Sequence, residues 1–302
     1  MIRFLTFLGF ISIICGWYIP VSGQDFKRIK QSEDTLASIL TAINQTPDDS
    51  LRRMLNTTFC DILHEALMLP GADHYPFHSL KTLVKISSPD DKLTIYHWNL
   101  PSNQGKHAYF GFIKMLNREP AAVYPLKDMA DSILLPETAY LDQYHWFGAL
   151  YYKIIPCLSN DGKPFYTLLG WSGKDGLVTR KIIEALTFDE KGGPRFGLPV
   201  FPDNGEGKMT RIIYRFSAST SMSLKYEDQT IEYDKKWNPK KRNFEYKTKM
   251  VKMIVCDRLV PLDPNLEGQS QFYVAAGDIF DGFEFQNGNW ILLQGIDSRN
   301  KK

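Results

Sequence analysis

Four residues carry the strongest ligand chemistry in the chain: Cys60, His64, His74 and His78. Thiolate and imidazole are the groups zinc prefers. Cys60 and His64 fall one helical turn apart, so a helix would aim both at one point. His74 and His78 belong to the segment Asp73-His74-Tyr75-Pro76-Phe77-His78 that follows. The spacing matches no zinc motif, and Pro76 keeps His74 and His78 from sharing a helix. Cys60 also lies on the apolar face of its segment. The four stand as candidate metal ligands, with a buried cysteine and surface histidines as the plainer expectation, and no cofactor is implied.

Carboxylates come next. Asp142, Asp175, Asp189, Asp257, Asp278 and Asp281 fall at expected strand ends or turns, where a β scaffold can hold the acid and base of a glycoside hydrolase. Turns also collect aspartates for their own reasons, because the side chain bonds nearby backbone N–H groups. Asp203-Asn204-Gly205-Glu206-Gly207 offers oxygens to calcium but lacks the EF-hand pattern. Nucleophile and phosphate motifs are missing: there is no Gly-x-Ser-x-Gly, no His-Glu-x-x-His and no phosphate-binding glycine loop. Ser172, in Gly170-Trp171-Ser172-Gly173, has the wrong glycine spacing for a nucleophile elbow and reads as a turn residue.

One stretch is built for contact rather than reaction. Lys235, Lys236, Trp237, Lys240, Lys241 and Arg242 gather five positive charges around one tryptophan. Such a cluster suits anionic lipid headgroups or an acidic glycan, and equally a solvated hairpin loop.

The elements that must position these groups change period along the chain. Residues 25–44 place Phe26, Ile29, Leu36, Leu40 and Ile43 on one helical stripe. A second helix runs to about Leu69, with Thr46 as its expected cap and Pro47 in its first turn. The pair makes a helical hairpin over residues 24–70. From Leu80 onward the pattern alternates, giving about a dozen strands joined by tight turns. The expected fold is mainly β with an N-terminal helical hairpin (α+β), its residues 71–302 forming an antiparallel meander that is closed, coiled or propeller-like. The block 146–201 reads as its centre. Its hairpin of 146–158 with 165–171 is expected inside a sheet, with Tyr152 and Ile154 on one face, Tyr151 and Ile155 on the other, and Trp171 buried beneath the next turn. Asn287-Gly288 suits a type I′ hairpin turn.

Residues 1–23 read as a signal peptide: Arg3, then an apolar run from Phe4 to Ile14, then Val21-Ser22-Gly23. Ile14 before Cys15 argues against lipoprotein processing. No other stretch is long and apolar enough for a transmembrane span. The net charge is +2, from 36 basic and 34 acidic residues, which gives no reason to expect nucleic acid as a partner. Cys60, Cys157 and Cys256 remain after removal of the leader. They read as three buried thiols, with a Cys157–Cys256 bridge as the rival.

The run from Phe165 to Trp171, the segment Lys181-Ile182-Ile183-Glu184-Ala185-Leu186 and Phe196-Gly197-x-Pro199-Val200-Phe201 resemble a family of exported proteins of Bacteroidetes-type bacteria with no assigned activity. Ser221-Met222-Ser223-Leu224, Asp257-Arg258-Leu259-Val260-Pro261 and Asp281-Gly282-Phe283 are similar too, so the resemblance covers roughly the last half of the chain. Where the family often has an acidic residue after the tryptophan, this chain has Ser172. The resemblance implies a bacterial envelope origin, periplasmic or on the outer envelope, and supplies no catalytic residue. The expected function is that of a non-catalytic envelope protein that binds or supports, with an envelope protein or a glycan as partner. The alternative is a hydrolase of glycan or peptide working through a carboxylate pair.

Overall fold

The computed structural model describes residues 23–296 apart from Glu119, Lys174 and Glu206. Apart from Gly23, the expected signal peptide lies outside the described residues. The chain begins with two helices, α1 (Gly23–Gln45) and α2 (Asp49–Met68). The cap of α2 is Asp48 rather than Thr46, its carboxylate accepting from the N–H groups of Ser50 and Leu51 at 2.6 and 3.1 Å. The Thr46 N–H still bonds Ala42 and so belongs to the end of α1, which moves the start of α2 beyond Pro47.

Three antiparallel sheets follow. Sheet I is a meander of β1 (Val84–Ser87), β2 (Leu93–Pro101), β3 (His107–Met115) and β4 (Ala122–Lys127). Sheet II contains β5 (Leu141–Asp142), β6 (Leu150–Leu158), β7 (Pro164–Ser172), β8 (Val178–Phe188), β9 (Pro194–Phe196) and β10 (Arg211–Ser217), in the order β5-β9-β8-β7-β6 with β10 beside β9 on β8. Sheet III is a meander of β11 (Leu224–Asn238), β12 (Asn243–Pro261), β13 (Tyr273–Gln286) and β14 (Asn289–Ile296). Among the described residues none of the three sheets closes into a barrel.

Alternation gives each sheet two apolar faces or one, and this dictates the layering. Tyr96, Trp98 and Phe112 of sheet I meet Ile29, Leu36, Phe59 and Leu63 of the helices. Its opposite face, with Ile95 and Ile113, packs on Tyr151, Leu168 and Ile182 of sheet II. The far face of sheet II, with Leu169 and Ile183, packs on Ile254, Phe283 and Trp290 of sheet III. Buried polar pins fix the helical layer: Trp98 Nε1 donates to Asn56 at 2.8 Å, and Lys114 Nζ bonds the Leu67 carbonyl near the end of α2 at 2.6 Å. Glu33 accepts from Tyr75 Oη and the Ser79 N–H; burial would raise its carboxyl, but these bonds prevail and hold it low.

Three expectations for the central hairpin are corrected. The strand β6 is the edge of sheet II, not an interior strand. The edge is blunted as edge strands usually are: Pro156 lacks an N–H, a bulge falls between Tyr151 and Lys153, and the Tyr151 N–H donates to His97 Nε2 at 3.2 Å. The bulge also exchanges Tyr151 and Tyr152 between the expected faces. Tyr151 and Ile154 both join the core against sheet I, while Ile155 and the Tyr152 hydroxyl turn toward sheet III. Trp171 is half-buried rather than enclosed, its ring lying against Gly173 and edge-on to His107. The Asn287-Gly288 turn is as expected, both residues having positive φ (47° and 74°) between the paired Gln286 and Asn289.

Candidate binding surface

The metal candidates are not brought together. Cys60 packs within the helical core, where burial pushes its thiol up to about 12. His64 stacks on Phe112 with 5.6 Å between ring centroids, and His74 and His78 are exposed on the loop after α2. Among the described residues no group of three His, Cys, Asp or Glu side chains is arranged to hold a metal. The helix turns its apolar face to the sheet, so Cys60 is taken up in packing.

The six aspartates divide between turns and strands, and no two of them form an acid–base pair. Asp175 accepts from Leu177 and Val178 N–H groups, and Asp257 from the Ser223 N–H. Asp142 and Asp189 converge only through Arg195, at 3.7 and 2.9 Å. Burial would raise Asp142, yet bonds from His145 and the Tyr144 N–H hold it low; the Gly193 N–H and Arg195 do the same for Asp189. Burial would raise Asp281, yet the Arg258 guanidinium and the Gly295 N–H, both donating to it, together hold it low. None of these three holds the proton that a general acid must give. Asp278 lies in β13.

Sequence reasoning missed a buried relay in sheet II. Trp146 Nε1 donates to Tyr151 Oη at 2.8 Å, Tyr151 Oη to Glu184 at 2.5 Å, and Arg211 Nε to Glu184 at 2.6 Å. Arg211 and Glu184 face each other in register between β10 and β8, both fully buried, and Arg211 Nη1 reaches the Pro136 and Ala139 carbonyls. With every member enclosed, the relay secures the 136–139 connection and touches no ligand. The lone Glu184 within an apolar run was the available signal.

Burial also governs the thiols. Cys60, Cys157 and Cys256 are free, and burial pushes the latter two up to about 11 and about 12. Cys157 lies by Thr167 and Cys256 by Tyr214, so no bridge joins them. Thiol titration of the native protein is expected to label these cysteines slowly, and all three promptly once denaturant is added. Rapid native labelling of all three would contradict their burial.

Sheet III differs from the others in what it leaves open. Its inner face supplies Ile254, Phe283 and Trp290 to the core, whereas its outer face has no further layer among the described residues. On that outer face a groove of about 970 Å³ runs between β11–β12 and the end of β14. Its walls include Gln229, Tyr233, Lys249, Glu284, Leu293 and Gly295. Register explains the grouping: Ile231 pairs with Lys249, Tyr233 with Lys247, and Met253 with Glu284, so these side chains share one face. Lys249 Nζ meets Glu284 at 2.7 Å, and Gln229 Nε2 donates to Glu227 at 2.9 Å. Gln229 and Glu284 are buried in the floor, while Tyr233 is 44% exposed at the rim.

Beyond the groove, β11 and β12 continue as a two-stranded arm. Residues 243–248 of β12 are all exposed. Of the basic cluster, Lys235, Lys236 and Trp237 lie in the end of β11 and Lys240, Lys241 and Arg242 in the turn to β12. The expected basic hairpin loop is thus the tip of a long ribbon. Among the described residues no helix is long and apolar enough to cross a membrane. No family model, no curated protein and no solved structure matches the chain.

Proposed function

We propose that the chain is an exported cell-envelope protein that binds its ligand without turning it over, and that the ligand is an envelope glycan held in the groove of sheet III. One observation carries this reading: an exposed tyrosine, a buried amide and a buried carboxylate paired with a partly exposed lysine line a single groove on a face that the core does not use. Sugars are recognised by just such a combination of a ring face and fixed hydrogen-bonding groups. The resemblance to exported envelope proteins supports the location.

A second reading, hydrolysis, has one observation in its favour. Glu227 and Glu284 both pair with Met253 from opposite sides, so the two carboxylates flank it on the same face. Against it, each already accepts a bond from a fixed donor, Gln229 or Lys249, and a hydrolase needs one carboxyl with a proton to give.

Calorimetric titration with soluble envelope glycan fragments tests the proposal. Tyr233→Ala is expected to weaken binding about tenfold or more while melting like the parent, since the ring is largely outside the core. Chromatography of the recovered glycan should show unchanged chain length. Shortened products would establish the hydrolase, and equal affinity of Tyr233→Ala and parent would remove the groove from the account.

A further inference from the structure

The end of the arm carries a second surface that the groove does not use. Trp237 and Phe244 pair directly across the strands, their rings edge to face with 5.0 Å between centroids. Both are exposed, by 53% and 47%, one residue pair short of the turn. The turn itself is Pro239-Lys240-Lys241-Arg242, with the Lys240 and Lys241 N–H groups both donating to Asn238 Oδ1. Tyr246 continues the face of Phe244 along β12 and is exposed as well. A rigid turn thus presents an aromatic wedge ringed by cations.

Charge is segregated onto this element. Residues 230–250 hold seven basic side chains against three acidic ones, a net +4; set against the chain's +2, the remainder is −2. The ion pairs of Lys236, Lys241 and Lys247 are all made within the arm, to Asp234 and Glu245. Trp, Tyr and Phe beside Lys and Arg is the composition that settles at the headgroup level of a bilayer, where ring bodies meet acyl chains and cations meet phosphates. A sugar platform would offer an open ring plane; the 67° angle between these two rings makes a wedge instead.

We propose that the tip of the β11–β12 arm docks the protein onto an anionic phospholipid surface. Trp237 and Phe244 enter the headgroup layer, and Lys236, Lys240 and Arg242 meet lipid phosphates. This surface is separate from the groove and does not depend on the glycan reading.

Sedimentation with vesicles tests it, comparing phosphatidylcholine alone with phosphatidylcholine mixed with phosphatidylglycerol. The full chain is expected to bind the anionic vesicles about tenfold or more tighter than the neutral ones, and to be released by high salt. Trp237→Ala/Phe244→Ala and Lys240→Glu/Arg242→Glu should each lose about tenfold or more, with melting curves unchanged because the four side chains are exposed. Tyr233→Ala should bind vesicles as the parent does. Equal binding to neutral and anionic vesicles, no binding to either, or parent-like binding by both double variants would overturn the proposal. So would displacement of the tip from vesicles by a soluble acidic polysaccharide at lower concentration than by free lipid phosphate, which would assign the tip to a glycan.

Discussion

Arg211→Met is expected to destabilise the protein by about 3–5 kcal/mol, because it leaves Glu184 charged and enclosed with only the Tyr151 hydroxyl beside it. Both members of the pair have fully buried side chains, and Arg211 also satisfies the Pro136 and Ala139 carbonyls. A loss of that size is a large part of the usual folding margin of about 5–15 kcal/mol. Removing both charges, as Glu184→Leu/Arg211→Met, should recover part of it. The recovery is partial because the two carbonyls still lack their donor. Denaturant titration of the single and double variants decides the matter; a single variant within about 1 kcal/mol of the parent would mean that the pair holds nothing.

Acid is expected to loosen the fold well above the range where carboxylates titrate. His97 is fully buried between sheets I and II, and burial pushes its imidazole down to about 4. The unfolded imidazole titrates near about 6.5. Between those values the unfolded chain binds the proton and the folded chain does not, so stability rises with pH and is lost as pH falls from about 6.5 toward about 4. The full window corresponds to about 3 kcal/mol, and about 2 kcal/mol of it is gone by about pH 5. His107, also lowered by burial, acts in the same direction. Glu33, Asp142 and Asp281, held low in the fold, add their losses further down. Denaturant midpoints at neutral and mildly acid pH should therefore diverge for the parent and less so for His97→Gln. Equal slopes for the two would show that His97 is not the group responsible.

The elements legible in the sequence are those governed by local periodicity. The helical stripes, the alternation of sheets I and II and the Asn287-Gly288 turn all depend on residues within a few positions of one another. The relay of Glu184 with Arg211 was hidden because it needs the register of two strands 27 residues apart at the pair. The bulge at Tyr151 exchanged Tyr151 and Tyr152 between the strand faces by inserting one residue, and nothing in the local sequence marks it. The basic cluster reads in the sequence as a hairpin loop because both faces of the arm meet solvent, so no apolar alternation records the full extent of its 15- and 19-residue strands. The groove residues were missed for the same reason. Gln229, Lys249 and Glu284 look like ordinary polar positions until pairing across β11, β12 and β13 places them on one face.

Amide hydrogen exchange, followed with and without saturating envelope glycan, tests the binding role of sheet III most directly. New protection should appear in residues 228–233, 248–250 and 293–296, the segments that wall the groove, while sheets I and II exchange as before. Protection confined to other segments, or none at a glycan concentration that calorimetry shows to be saturating, would contradict the assignment of the groove as the ligand site.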